Sequence, residues 1–429
     1  MADRFPPIDP PMRYPRRTPE PDDNAFNREG RRQEASEKVV KSRKTFHLAR
    51  LSDFFITGEF DIVFFALTML LLAIGLVMLL SASYPTAYYQ SDNSYSYFIK
   101  QLIFAVVGFV AMIVASKLDY KIYKDLLKIM LPVSMLLLVV VLFYNNGKTS
   151  GNGEKFRRYI PLFSGVTFQP SEVAKFVLIV TLAVFFSKFA GKIKTFKYGI
   201  FFPLAIIAVF CGLIVLENHV SCTILMFLIG ASIMFAGGSN KWLFWLGVIV
   251  VAAAVIVVFM FPDMLPQYVQ DKLMAFTDKD FEPLKGRWQI NNSLYAIGSG
   301  GFFGVGLGNS KQKYMYVSEP QNDFIFSIVC EELGFIGAII IIILFVLLVL
   351  RGIQISMKAR DKFGSYIALG ITAQIGIQTV FNILVVTDAI PNTGIALPFF
   401  SYGGTALVML LFEAGVVLSI SRKANQRKI

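Results

Sequence analysis

Ten apolar runs of about twenty residues, parted by short polar links, limit what this chain can fold into more than any other feature, because each matches the hydrocarbon thickness of a bilayer. They fall at 62–83, 98–116, 126–144, 170–187, 200–216, 220–236, 242–261, 323–350, 365–386 and 398–420. The eighth is long enough to tilt or to start outside the hydrocarbon. The expected fold is an all-α polytopic membrane protein of about ten transmembrane helices. A large structured extracellular loop, 262–322, lies between helices 7 and 8. Composition agrees: 55% of the 429 residues are hydrophobic and only 16% charged, more apolar surface than a soluble domain can hide.

Residues 1–60 read as a disordered, basic cytoplasmic tail, 61–421 as the membrane domain and 422–429 as a short basic cytoplasmic C-terminus. The basic stretch 38–50 has two readings, contact with anionic headgroups or a solvated topology signal, and the second is favoured. The first apolar run begins near Ile62, too far from Met1 for a cleaved signal peptide. The links after the second, fourth and eighth runs are rich in Lys and Arg, among them Lys121, Lys192 and Arg360, so both termini are expected in the cytoplasm. The formal net charge of +12 therefore speaks to orientation, and no nucleic-acid partner is expected.

Two segments on the expected outer side break the charge rule. Residues 145–169 carry Lys148, Lys155, Arg157 and Arg158; residues 262–322 carry Lys272, Lys279, Lys285, Arg287, Lys311 and Lys313. A long loop can cross the membrane whatever its charge. The alternative is that basic groups face an anionic ligand outside, and it is favoured for the arginine pair and the Lys313 region.

The stretch 286–334 is the richest in chemistry. Its glycines, Gly298 to Gly308, have no preceding strand and so do not make a dinucleotide site. They permit tight turns and re-entrant backbone. Asp323 stands where this segment turns into the eighth run. It can be a general base at the interface between water and lipid, or a plain first-turn cap, the favoured reading from the residues alone. Glu331 and Glu332 lie two turns deeper; Glu172 and Lys175 share a helix face. All four read as a buried structural network. Glu217, His219 and Glu413 read as structural glue. Three cysteines, all in apolar stretches, and two histidines offer neither a disulfide framework nor a metal-ligand spacing.

Three blocks, in order, resemble the SEDS family of bacterial membrane proteins (shape, elongation, division and sporulation), which includes FtsW and RodA. The family's AIGSGG, GxGLGxSxQK, YLPE, TDFIF and EELG motifs are matched at 296–301, 304–313, 316–319, 323–326 and 331–334. RRWI and FQPSELAK are matched at 157–160 and 168–175, and PxTGIPLPFxSYGG at 391–404. Departures are Tyr159 for Trp, Ser318 for Pro, Gln321 and Asn322 for His-Thr, Asn292 for Gln, Ala396 for Pro and His219 for Asp. None removes the acidic residue.

The resemblance implies a peptidoglycan glycosyltransferase that polymerises lipid II at the outer face of the cytoplasmic membrane. Asp323 matches the family's catalytic aspartate. It would take the proton from the acceptor GlcNAc 4-hydroxyl as that oxygen attacks C1 of the donor MurNAc, with inversion to a β-1,4 linkage and loss of undecaprenyl pyrophosphate. Arg157, Arg158 and Lys313 would meet the diphosphate, with Gln312, Glu319 and Ser401 as further candidate substrate contacts. A divalent cation is the one cofactor left open. The implied partner is a class B penicillin-binding protein transpeptidase, within the divisome or elongasome, and the long tail and the 217–223 stretch lean towards division or sporulation. A lipid II flippase or a non-catalytic scaffold are the rival readings. The charged and glycine-rich features gather at one face and not at the midplane, which favours surface chemistry over transport.

Overall fold

A run that faces lipid can satisfy its backbone only by closing on itself as a helix. The computed structural model describes residues 58–144, 158–161, 167–239, 267–278 and 287–425, all within one unit, Phe54–Ile429. Among the described residues there are eleven α-helices: α1 Ile62–Ser91, α2 Ser96–Lys117, α3 Ile122–Val141, α4 Pro170–Lys188, α5 Phe202–Leu216, α6 Val220–Ala236, α7 Gln267–Thr277, α8 Trp288–Gly300, α9 Ile325–Lys358, α10 Lys362–Val386 and α11 Gly404–Asn425. Two short strands, β1 Ile160–Pro161 and β2 Thr167–Phe168, pair antiparallel just before α4.

Among the described residues seven helices are long and apolar enough to cross a membrane: α1, α2, α4, α5 with the turn that leads into it (Lys197–Leu216), α9, α10 and α11. Helix α6 is apolar but shorter, and α3 carries Lys124, Asp125 and Lys128 near its start. The expected run at 242–261 and the expected tail before residue 58 lie outside the described residues. The expected loop 262–322 holds two helices, α7 and α8.

Helix ends follow local chemistry. Asp61 caps α1 by accepting from Phe64 N at 2.9 Å, and Asp361 caps α10 by accepting from Gly364 N at 2.8 Å. Helix α1 continues past the expected stop at 83 to Ser91, through Pro85. The last helix starts at Gly404 and not at 398, because Phe399 takes a left-handed φ of 66°. Helix α4 is the centre of the bundle, with Phe176 to Val180, Leu182, Ala183 and Phe186 all buried. Glycines let α11 close on α2: a Cβ on Gly415 would lie 2.3 Å from Met112 O.

Polar ties mark the two ends of the bundle. One end gathers the Asp61–Arg351 pair at 2.8 Å, the Lys121–Asp361 pair at 3.6 Å and the Lys423–Asp119 pair. The opposite end gathers the start of α9 with the loop 387–403 that joins α10 to α11.

Helix α9 is interrupted at Gly334, whose φ of 68° and ψ of −171° no helix accommodates. In an unbroken helix Phe335 N and Ile336 N would donate to Glu331 O and Glu332 O. Here Phe335 N donates to Gly301 O (2.9 Å) and Ile336 N to Phe302 O (3.2 Å). The freed carbonyls accept from Val305 N (3.0 Å) and Gly306 N (3.1 Å). The glycine-rich loop after α8 is thus spliced into the break, and these four displaced backbone groups find new partners. The approach is close enough that a Cβ on Gly334 would sit 2.2 Å from Gly304 N.

Candidate active site

Asp323 precedes α9 at the end of the bundle opposite the Asp61–Arg351 and Lys423–Asp119 pairs. Its backbone is fixed from three directions. Asn382, in the last turn of α10, donates to Asp323 O at 2.6 Å and to Ile395 O at 2.8 Å. Ser401 Oγ donates to Asn322 O at 2.7 Å while accepting from Leu397 N at 2.8 Å. Tyr402 N donates to Gln321 O at 2.8 Å. Ser401, expected to touch substrate, therefore has its hydroxyl engaged in holding the loop 387–403 against the residues before α9. The same loop brings Gly394, at φ 67°, against the carboxylate: a Cβ there would lie 3.0 Å from Asp323 Oδ2.

Asp323 is half-buried. Burial pushes its carboxyl above the ordinary range; Lys272 pulls it back down, Glu319 adds to the rise and Arg158 opposes it. Glu319 sits one turn upstream at φ 48°, exposed, and accepts from Asn322 Nδ2 at 2.7 Å. Arg158 donates to Asn218 O in the turn between α5 and α6. Lys272 lies on α7, which Arg287 ties down by donating to Ala275 O and pairing with Asp388. The sequence shows Lys272 only as one basic residue among several in its segment. Its place on a short helix held by Arg287 is what turns it to Asp323.

Lys313 does not join this group, which corrects the expectation that it meets the diphosphate with the arginine pair. It is 3% exposed, and all three of its N–H donors are used, on Ser81 Oγ (3.0 Å), Gly308 O (2.6 Å) and Glu332 Oε1 (2.9 Å). Glu332 also accepts from Ser81 Oγ at 2.7 Å and Ser310 N at 3.3 Å. Glu331 accepts from Ser310 Oγ, from Lys311 N at 2.8 Å and from Gln312 N at 3.4 Å. Gln312 thus belongs to the turn that Glu331 holds, and Lys313 is absent from the charges that act on Asp323. Glu172 and Lys175 form a separate pair at 2.7 Å on α4. Glu413 accepts from Gln374 Nε2 at 2.9 Å. Arg157 lies outside the described residues.

The turn between α5 and α6 departs from the expectation of structural glue. Glu217 is fully buried and His219 nearly so, yet both carboxyl oxygens of Glu217 and Nδ1 of His219 have no hydrogen-bond partner among the described residues. Burial pushes the Glu217 carboxyl up to about 8 against the pull of Arg158. Burial, then Arg158, Lys175 and Lys272, hold the His219 imidazole well below its ordinary range. Ser221 Oγ donates to Thr393 O, so the turn abuts the residue next to Gly394. Among the described residues no three His, Cys, Asp or Glu side chains gather as a metal centre needs.

Comparison with known proteins adds three findings. The FtsW, RodA and SpoVE family model, described as cell cycle protein, matches residues 61–426. The chain is 39% identical over 365 residues to stage V sporulation protein E of Bacillus subtilis, covering 84% of this chain and 97% of that one. It is 37% identical over 381 residues to the probable peptidoglycan glycosyltransferase FtsW of Trichlorobacter lovleyi, covering 88% and 95%. Among solved structures, a chain of a peptidoglycan synthase complex that coordinates polymerization and crosslinking superposes with TM-score 0.69 at 22% identity, over 86% of this chain and 99% of that one. The rod shape determining protein RodA of Thermus thermophilus does so with TM-score 0.61 at 22% identity, over 86% and 98%.

Proposed function

The chain belongs to the FtsW/RodA/SpoVE family of membrane cell cycle proteins, and from that premise we propose that it is a peptidoglycan glycosyltransferase that polymerises lipid II. The observation that carries the reading is Asp323 itself. It is a half-buried carboxylate with a raised affinity for protons, approached by glycine backbone and facing two cations, Lys272 and Arg158. A base of that kind suits removal of a hydroxyl proton near neutral pH.

Asp323 takes the proton from the acceptor GlcNAc 4-hydroxyl as its oxygen forms a bond to C1 of the donor MurNAc. The bond from C1 to the diphosphate oxygen breaks with inversion, and undecaprenyl pyrophosphate leaves with the electron pair. Lys272 and Arg158, whose charges act on Asp323, are the cations to meet that developing negative charge, and they would stabilise it more than the ground state. Lys272 takes the place first given to Lys313. By the positive-inside rule the Asp323 end is the outer one and both termini are cytoplasmic. A class B penicillin-binding protein is the crosslinking partner, and the likeness to FtsW and to a sporulation protein supports a role in division or sporulation.

The test is polymerisation of lipid II by the purified protein. Asp323→Asn is expected to keep the folded state and lose polymer by at least about 100-fold, as loss of a general base does. Lipid II crossing the bilayer without polymer formation would replace this reading with a flippase. Neither activity, with partner binding intact, would leave a scaffold.

A further inference from the structure

We infer that the α5–α6 turn forms, with Thr393, a neutral hydrogen-bonding subsite for a hydroxyl or acetamido group of the aminosugar substrate, made by Glu217, His219 and Thr393. This deepens the polymerase reading and rests on it.

Unpartnered atoms carry the argument. Both oxygens of Glu217, Nδ1 of His219 and Oγ1 of Thr393 are buried without a hydrogen bond among the described residues. Folded proteins rarely leave such groups unsatisfied, since each costs about 1–3 kcal/mol. Four such atoms on three residues from two separate segments point to a ligand that completes them. Other buried atoms also lack a partner, Oε1 of Glu413 and of Gln374 among them, but those two side chains bond to each other through their remaining polar atoms, whereas Glu217 bonds through neither oxygen among the described residues.

Placement ties the cluster to the chemistry. Ser221 Oγ donates to Thr393 O, and Gly394, the next residue, lies against Asp323 Oδ2. Arg158 donates to Asn218 O, within the same turn, and its charge acts on Asp323, Glu217 and His219 alike. Asn218 holds the turn at φ 56°. A group bound by Glu217 and Thr393 would therefore sit beside the sugar on which Asp323 acts.

Electrostatics select the class of ligand. The charges that act on His219 are Arg158, Lys175 and Lys272, all positive, which disfavours a cation bound at its imidazole. With its proton retained, Glu217 is both donor and acceptor, as are neutral His219 and Thr393. Such a set fits a hydroxyl or an amide, which also offers both. The diphosphate is left to the guanidinium and ammonium groups.

The experiment measures the dissociation constant of lipid II from the purified full chain in an Asp323→Asn background, so that binding is read without turnover. A second probe is lipid II whose GlcNAc has been N-deacetylated. Glu217→Leu and Thr393→Val are each expected to weaken lipid II binding at least 10-fold and to erase discrimination between the two lipids. Glu217→Gln, which keeps a neutral donor and acceptor, should recover most of the loss. Thr393→Val, which keeps its shape, decides the matter if Glu217→Leu does not fold. Unchanged binding and discrimination in the folded variants would overturn the subsite. So would a thermal stabilisation by magnesium alone that requires Glu217. Absence of polymer from the unaltered protein, with the binding losses intact, would remove the polymerase reading and leave the subsite standing.

Discussion

Replacing Lys313 by Met separates the two roles that a buried lysine in this position can have. The ammonium is 3% exposed and its three donors go to Ser81, Gly308 O and Glu332. Removing it leaves the Glu332 carboxylate, itself 1% exposed, with the Ser81 hydroxyl and Ser310 N as its remaining contacts. Breaking a buried ion pair from one side costs about 3–5 kcal/mol, because a charge stays behind uncompensated. The midpoint of heat unfolding in detergent should therefore fall, on the order of 10 °C. Pairing Lys313→Met with Glu332→Gln removes the stranded charge and should restore more than half of the loss, whereas the two single costs added together predict a worse protein. The binding of lipid II, per folded molecule, should change less than threefold in the double variant. By contrast Lys272→Met should weaken lipid II binding about 10-fold or more while leaving the unfolding midpoint in place. If Lys313→Met kept its midpoint and lost lipid II affinity, the buried network would be the wrong account of Lys313 and the diphosphate contact the right one.

Gly334→Ala should abolish accumulation of folded protein, since its φ of 68° is closed to alanine and the added Cβ would meet Gly304 N at 2.2 Å and Phe303 C at 2.6 Å; Gly298→Ala in α8, with open space around it, should be tolerated or slightly stabilising by up to about 1 kcal/mol, both read from yield and size-exclusion profile. Burial lifts the Glu217 carboxyl from 4.5 to about 8, so the folded chain keeps a proton that the unfolded chain releases. Its contribution is intact below about pH 4.5 and is lost as pH rises towards about 8, at most roughly 5 kcal/mol in all. The unfolding midpoint should accordingly fall over that window in the native chain and fall less in Glu217→Gln, the difference between the two excluding Asp323, which shifts the same way. Arg287→Met should release α7 by removing its ties to Ala275 O and Asp388, seen as faster hydrogen exchange in Gln267–Thr277 and as a drop in polymerisation at least as large as that of Lys272→Met.

Seven of the expected runs were legible in the sequence as helices long and apolar enough to cross a membrane, because lipid leaves a twenty-residue apolar stretch few alternatives to a helix. Asp323 was visible as a carboxylate at the edge of such a run, but the residues alone favoured a first-turn cap, and only the motif around it singled it out. Partners in space were not. Lys313 was grouped with the arginines because both stood on the expected outer side, and a count of charges by side cannot say which of them a carboxylate has already taken. Its partner Glu332 lies nineteen residues on, beyond a turn that only the break at Gly334 makes possible. That break was hidden as well, since EELG followed by an apolar run reads as uninterrupted helix. The glycine pattern did signal non-helical backbone, but not that Gly301 to Gly306 would exchange hydrogen bonds with Glu331 to Ile336. Lys272 escaped selection because its helix is short and carries no motif; only Arg287 and Asp388, more than a hundred residues apart in sequence, give it a fixed direction.

The two irregular segments at the Asp323 end solve one physical problem. A general base must be dry enough to hold a proton near neutral pH, yet open enough to reach a substrate that stays in the membrane. A continuous helix would supply neither freedom, because its backbone amides are all spent on itself. The loop after α8 takes up four of the backbone groups that the break at Gly334 frees, which ties the break to its neighbour. The chain ahead of α9 is held in a similar way, by Asn382 at the end of α10 and by Ser401 and Tyr402 in the loop before α11. Asp323 is therefore held by its backbone, and its carboxyl group needs no tether of its own. On the proposed mechanism that leaves the side chain available to a sugar hydroxyl, while Gly394 lets the surrounding backbone close to contact distance without a side chain in between. It follows that residues that bond to the backbone around Asp323, such as Asn382 and Ser401, or to the helix that carries Lys272, such as Arg287, act on the carboxylate through position, and that an apolar replacement of any one of them should cost activity before it costs the fold.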